Sequence, residues 1–151
     1  MSLVLASLPA AGQAAPITAP STEGRAYVVV TRADVGFDGR LTFALSSMRL
    51  VSRMAGTPGL IAQRQGFRRL GAEVWTATAW ESPEAMKDFV RSAAHAEAMR
   101  EAAFAITRMT THHLDCDRDR ATLEWREVRG LAEGRVPEGC VLRPSERSEV
   151  R

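Results

Sequence analysis

Few side chains in this chain are able to do chemistry, and His95 leads them. It stands in "SAAHAEAM" (92–99) among alanines, and His95, Met99, Ala102 and Ile106 follow i, i+4, i+7, i+11 spacing, one face of a helix. Ala94, Ala98 and Ala102 leave room beside the ring. A neutral imidazole in such a place can accept a proton from a phenol or enol, since its unperturbed pKa suits work near neutrality. It can also hold a heme iron through one nitrogen. The competing reading is structural: His95 hydrogen-bonds a backbone carbonyl or Glu81 and holds a strand–helix corner together. The sequence leaves both open.

The other candidates are weaker. His112 and His113 are adjacent on an expected strand, so they face opposite ways and cannot chelate one metal together. One is expected in a pocket or an interface and the other in solvent; His112 is assigned the inward position. Asp115 and Asp117 follow closely, but without a third ligand at sensible spacing they make no metal site. Arg32 suits a substrate carboxylate or phenolate, and equally a surface ion pair. No phosphate-binding glycine loop, GxSxG elbow or HExxH occurs, and no Ser/His/Asp triad assembles at recognisable spacing.

The elements that must position these groups can be read from periodicity. "RAYVVVTR" (25–32) is a strand by its β-branched density. "LTFALSSMRLVSRMAG" (41–56) has helical apolar spacing, widened by Phe43, Leu50 and Met54, so burial on more than one side is expected. "GLIAQRQGF" and "AEVWTATAW" flank "RRLG" as an antiparallel hairpin. Ser82 caps the next helix, with Pro83 at its first position, and Ser92 caps an offset helix through Phe104. A last strand lies within "ITRMTTHHL" (106–114), and a weakly amphipathic terminal helix within 122–134 is anchored by Trp125. The order β-α-β-β-α-β plus a C-terminal helix is the split βαβ arrangement, an α+β, ferredoxin-like fold with an antiparallel sheet.

With 151 residues, the chain suits one domain, placed at 25–136 between a flexible arm (1–24) and a loosely ordered tail (137–151). Its formal charge of +2, spread among interleaved acids and bases, gives no nucleic-acid stripe. No apolar run has bilayer length, so no membrane partner is expected. Cys116 and Cys140 have no CxxC spacing. A disulfide between them is possible, but they read as ordinary thiols in a reducing compartment, which implies a cytoplasmic protein.

Both faces of the sheet look apolar. Val74, Thr76, Thr78 and Trp80 point one way, and Trp75, Ala77 and Ala79 the other; at most one of Trp75 and Trp80 can line a given cavity. Helices cover one face only, so something must cover the second. A second copy of the sheet, related by a two-fold axis, would do so; the arm or the C-terminal helix would serve instead in a monomer. Leaving the face wet would forfeit about 1.5–3 kcal/mol for each large apolar side chain.

"PGLIAQRQGF" followed by "EVWTATAWESPEAMKDFVRSAAHAEAMR" resembles the dimeric α+β-barrel superfamily of antibiotic-biosynthesis monooxygenase-like proteins, over about 25–115. The resemblance implies a homodimer with a ligand cavity between the sheet and its own helices. It puts Thr31, Arg32, Phe43, Met48 and Trp75 or Trp80 near that cavity, with His95 and Met99 on the helical side. It implies an oxygenase acting on an aromatic or apolar metabolite without cofactor, His95 being proton acceptor or polar anchor; the alternative is a protein that binds heme or another hydrophobic ligand without turnover. Heme-degrading members carry an asparagine where this chain has Thr31, and an iron-binding histidine one turn after His95, where this chain has Met99. The quinone-forming oxygenases use Asn, Trp and Tyr together, a set not matched here, where Tyr27 is the one tyrosine.

Overall fold

A computed structural model describes residues 3–5 and 24–144. In chain order its elements are β1 (Leu3–Leu5), β2 (Arg25–Val35), α1 (Arg40–Met54), β3 (Leu60–Arg68), β4 (Glu73–Trp80), α2 (Pro83–Val90), α3 (Ala93–Ala102), β5 (Ile106–Asp117), α4 (Trp125–Gly130) and β6 (Cys140–Leu142). The strands make one sheet ordered β1-β3-β4-β2-β5-β6, every neighbouring pair antiparallel. The inner four strands and the helices between them have the ferredoxin-like order expected from the sequence.

Local signals set these elements. Ser82 accepts the Ala85 N–H at 3.2 Å and Pro83 opens α2. The Ser92 hydroxyl accepts the His95 N–H at 3.3 Å, so the cap of α3 fixes the backbone that carries the imidazole. Gly59, before β3, has φ +79°, and a Cβ there would come within 2.5 Å of the Ala85 Cβ. Only glycine suits that crossing between β3 and α2.

Helices α1, α2 and α3 cover one face of the sheet. On the opposite face Ala26, Val28, Val30, Trp75, Ala77, Ala79, Leu114 and Cys116 are buried, packed with Leu123, Val128 and Leu131. Those last three come from the C-terminal segment of the same chain, so a single chain covers both faces. The argument that a second sheet is needed there therefore loses its premise. Trp125 is the docking anchor: its ring lies against Gly66, where a Cβ would come within 3.1 Å, and the Arg64 guanidinium sits 4.8 Å above it.

Several boundaries differ from expectation. β2 runs to Val35 and β5 to Asp117, so Thr31 and Arg32 lie inside a strand. α3 stops at Ala102, two residues short of Phe104, while Ile106 opens β5 as expected. The terminal helix shrinks to α4, followed by a 3-10 turn at Leu131–Glu133. Phe43, Ser46 and Met54 of α1 are buried, but Leu41, Leu45 and Met48 are exposed. Its stripe is one-sided because, among the described residues, no second layer packs outside it.

The ends differ too. Leu3–Leu5 of the supposed arm pair with β3; the rest of the arm up to residue 23 lies outside the described residues. Within the supposed tail, β6 pairs with β5 and Arg143 bonds the His113 carbonyl, while 145–151 lie outside the description. Cys116 and Cys140 are joined in a disulfide. The reading of both as free thiols is thus wrong. The pairing of β6 with β5 sets the two cysteines opposite each other, which their spacing of 24 in sequence does not reveal. The cytoplasmic expectation loses the support it drew from them. No described helix is long and apolar enough to cross a membrane.

Candidate active site

Between the sheet and α1–α3 lies a cavity of about 330 Å³. Strand periodicity chooses its floor. On the helix-facing side, cross-strand registers place Gln65, Thr76, Thr31 and Thr111 in one row across β3, β4, β2 and β5, and Gln63, Thr78, Val29 and His113 in the next. All eight residues line the cavity. The roof is apolar, with Val51, Met54, Met86, Phe89 and Met99 prominent. Hydrogen bonds fasten it: Ser46 Oγ donates to Glu101 Oε2 at 2.7 Å between α1 and α3, and Gln63 Nε2 donates to the Val51 carbonyl at 3.0 Å between floor and roof.

His95 opens onto this cavity, as do Met99, Ala102 and Ile106. Its ring meets Phe89 edge-on, with centroids 5.4 Å apart. Burial lowers its pKa below the ordinary histidine value, partly opposed by a hydrogen bond to the Val90 backbone. The imidazole is therefore neutral near pH 7. With one ring nitrogen donating to that backbone, the other is a free base. The same ring ties the α2–α3 corner, not the strand–helix corner expected from the sequence, and lines the hollow.

Of the other expected site residues, Thr31, Phe43, Trp80 and Met99 line the cavity. The Trp80 indole N–H donates to Thr78 Oγ1 at 2.9 Å and its ring lies 5.4 Å from Phe89, so it is a rigid wall. Arg32, Met48, Trp75 and His112 do not line it. Arg32 and Trp75 are cross-strand partners on the opposite face, with the guanidinium 5.6 Å above the indole. Arg32 also bonds Asp34 Oδ1 at 3.0 and 3.1 Å. The Trp75 N–H donates to the buried Glu73 carboxylate. Burial pushes the Glu73 pKa up, but that bond and the charges of Arg32, Arg68 and Arg69 outweigh it, so the group stays below its usual value. Met48 points to solvent from the outer side of α1.

His112 and His113 are exchanged relative to expectation. His113 lines the cavity, and its Nδ1 is 2.5 Å from the hydroxyl of buried Tyr27. The register explains this: His113 stands opposite Val29, whose side chain faces the helices, whereas His112 stands opposite Val30, which faces α4. Burial lowers the His112 pKa on that other face. The sequence reading also missed Gln63 and Gln65. Their signal was visible, because two amides alternate with Ala62, Arg64 and Gly66 on a strand whose inward positions would ordinarily be apolar.

Heme fits this wall poorly. One imidazole could ligate, but the two carboxylates of the group would need cations, and Arg64, the one Lys or Arg among the described lining residues, is committed to the Leu123 carbonyl and the Trp125 ring. Among the described residues no group of three His, Cys, Asp or Glu could hold a metal ion.

No protein-family model and no curated protein sequence matches the chain. Solved structures share its fold. A "putative monooxygenase" from Fusobacterium nucleatum superposes with TM-score 0.59 at 12% identity, covering 72% of this chain and 46% of that one. A "putative antibiotic biosynthesis monooxygenase" from Nitrosomonas europaea gives TM-score 0.55 at 12% identity, covering 62% and 90%. An "anthrone oxidase-like protein" gives TM-score 0.53 at 19% identity, covering 74% and 52%. The chain thus spans about half the length of the first and third. The α+β fold is that of the antibiotic-biosynthesis monooxygenase-like proteins, as the sequence resemblance implied.

Proposed function

We propose that the chain is a small oxygenase that oxidises an electron-rich aromatic metabolite in the cavity between sheet and helices, with no cofactor. The observation that carries this reading is the joining of a neutral, half-buried imidazole to a hollow with an apolar roof and an aromatic wall. The names of the fold relatives, two of them monooxygenases and one an anthrone oxidase-like protein, support it.

The chemistry asks little of the protein. His95 takes the acidic proton of a bound phenol, enol or activated methylene and leaves a carbanion-like anion. Desolvation under the roof prevents water from reprotonating it. The anion reduces molecular oxygen, and an oxygen–carbon bond forms at the activated carbon. That carbon becomes a carbonyl as its two hydrogens leave with the second oxygen atom as water, so substrate plus O2 gives quinone plus H2O. Proton removal is His95's part, and general-base catalysis contributes about 10²–10⁴-fold.

The test uses anthrone in aerated buffer with quinone absorbance as readout. Turnover by the native chain, reduced at least about a hundredfold in His95→Ala, is the expected result. Equal turnover in both proteins refutes the assignment.

A further inference from the structure

Resting on the reading that the cavity takes an aromatic ligand, we infer that Gln63 and Gln65 form a hydrogen-bond acceptor subsite on its floor, selecting ligands that present a hydroxyl or N–H donor at one edge.

The two side chains project from β3 two residues apart, hence on the same face, and both line the cavity. They are almost wholly buried, at 6% and 3% exposure. Each has a side-chain oxygen that no protein donor reaches. For Gln63 the orientation of the amide is fixed, because Nε2 donates to the Val51 carbonyl at 3.0 Å; turning the amide over would set oxygen against oxygen. Its Oε1 is an acceptor with nothing of the protein to accept from. A buried amide oxygen left without a donor is costly, and a strand position facing a core is ordinarily filled by an apolar side chain. Two such oxygens side by side are hard to explain by folding alone. A ligand lying on this floor gains there only if it supplies donors of its own.

The rest of the floor fits this role. Thr76 and Thr78 are the β4 neighbours of Gln65 and Gln63, and the Thr78 hydroxyl already takes the Trp80 indole N–H. The two amide oxygens are thus acceptors without a protein donor on the strip that faces the apolar roof. The matching chemical class is a flat aromatic with a phenolic hydroxyl, or an aromatic N–H, on the edge facing β3.

The experiment measures binding, not turnover. Isothermal titration compares 2-naphthol with 2-methylnaphthalene, two probes of nearly equal shape that differ in the donor. It does so for the native chain, Gln65→Met, Gln63→Met and the double variant. The native chain should prefer the naphthol, and the ratio of the two affinities should fall about tenfold in the double variant and several-fold in Gln65→Met. Gln65→Met breaks no hydrogen bond found among the described residues, so it carries the test if the loss of the Gln63–Val51 bond unfolds the other variants. An affinity ratio that stays the same in the folded variants overturns the subsite while leaving an aromatic cavity. Absence of binding by both probes to the native chain removes the aromatic reading, and the subsite with it.

Discussion

Reducing the Cys116–Cys140 disulfide should destabilise the chain by about 3.5 kcal/mol on the loop-entropy argument for a ring of this size. The bond closes a loop that holds Leu123, Trp125, Val128 and Leu131, the residues that cover the second face of the sheet. Once the bond is cut, the unfolded chain gains the freedom of that loop, while the native pairing of β5 with β6 and the packing of Val128 persist. The stability should therefore fall without loss of the fold. Urea unfolding of oxidised and reduced protein, followed by tryptophan fluorescence, is the assay. With a slope of about 1–3 kcal/mol per molar urea, the midpoint should drop by roughly 1.2–3.5 M. Two thiols that alkylate in the native, unreduced protein, or midpoints that coincide, would refute the clamp. Probe binding in the cavity should survive reduction, because the clamp acts on the opposite face.

Four further outcomes follow from the same structure. Leu123→Ala, at a site 1% exposed, should cost about 2–5 kcal/mol in urea unfolding; a shift under about 0.5 kcal/mol would mean that the C-terminal segment does not cover the sheet. Gly59→Ala should destabilise by more than about 1 kcal/mol in the same assay, since it meets both a left-handed φ and the Ala85 methyl. Glu73 is held below its reference pKa of 4.5, so its contribution is complete above that value and is lost as pH falls through the folded pKa. Glu73→Gln should consequently lose about 2 kcal/mol at neutral pH, with the gap to the native chain closing in acid. His95, depressed below 6.5 by burial, favours the folded state above that pH and loses this contribution as pH falls below it; a His95→Gln chain should show a flatter stability profile between pH 7 and the folded pKa.

How much could be read beforehand depended on the range of the interaction. Capping and alternation are local, so α2 with Ser82 and Pro83, and the Ser92 cap that places His95, were visible in the sequence. The face of a strand also follows from parity, which set Trp75 and Trp80 on opposite sides but left open which of the two lines the cavity. Choosing between His112 and His113 needed the register of β5 against β2, a long-range fact with no local signal. The disulfide had the same character, depending on β6 lying beside β5. Met48 failed for another reason. Its spacing on α1 was right for an apolar face, but periodicity cannot say how wide a stripe the neighbouring layer will cover.

The covering of the second face and the hollow under the helices are separate features of the fold. An apolar second face suggested a partner sheet, with the hollow following from that pairing. The second face is instead closed by Leu123, Val128 and Leu131 of the same chain, while the hollow is walled by elements of β2–β5 and α1–α3. The cavity, its neutral imidazole and its pair of unanswered amide oxygens are therefore complete within one chain. Any ligand chemistry assigned to them stands independently of whether two chains associate. The exposed stripe of Leu41, Leu45 and Met48 on α1 lies outside that cavity, so mutations there should leave probe affinity in place.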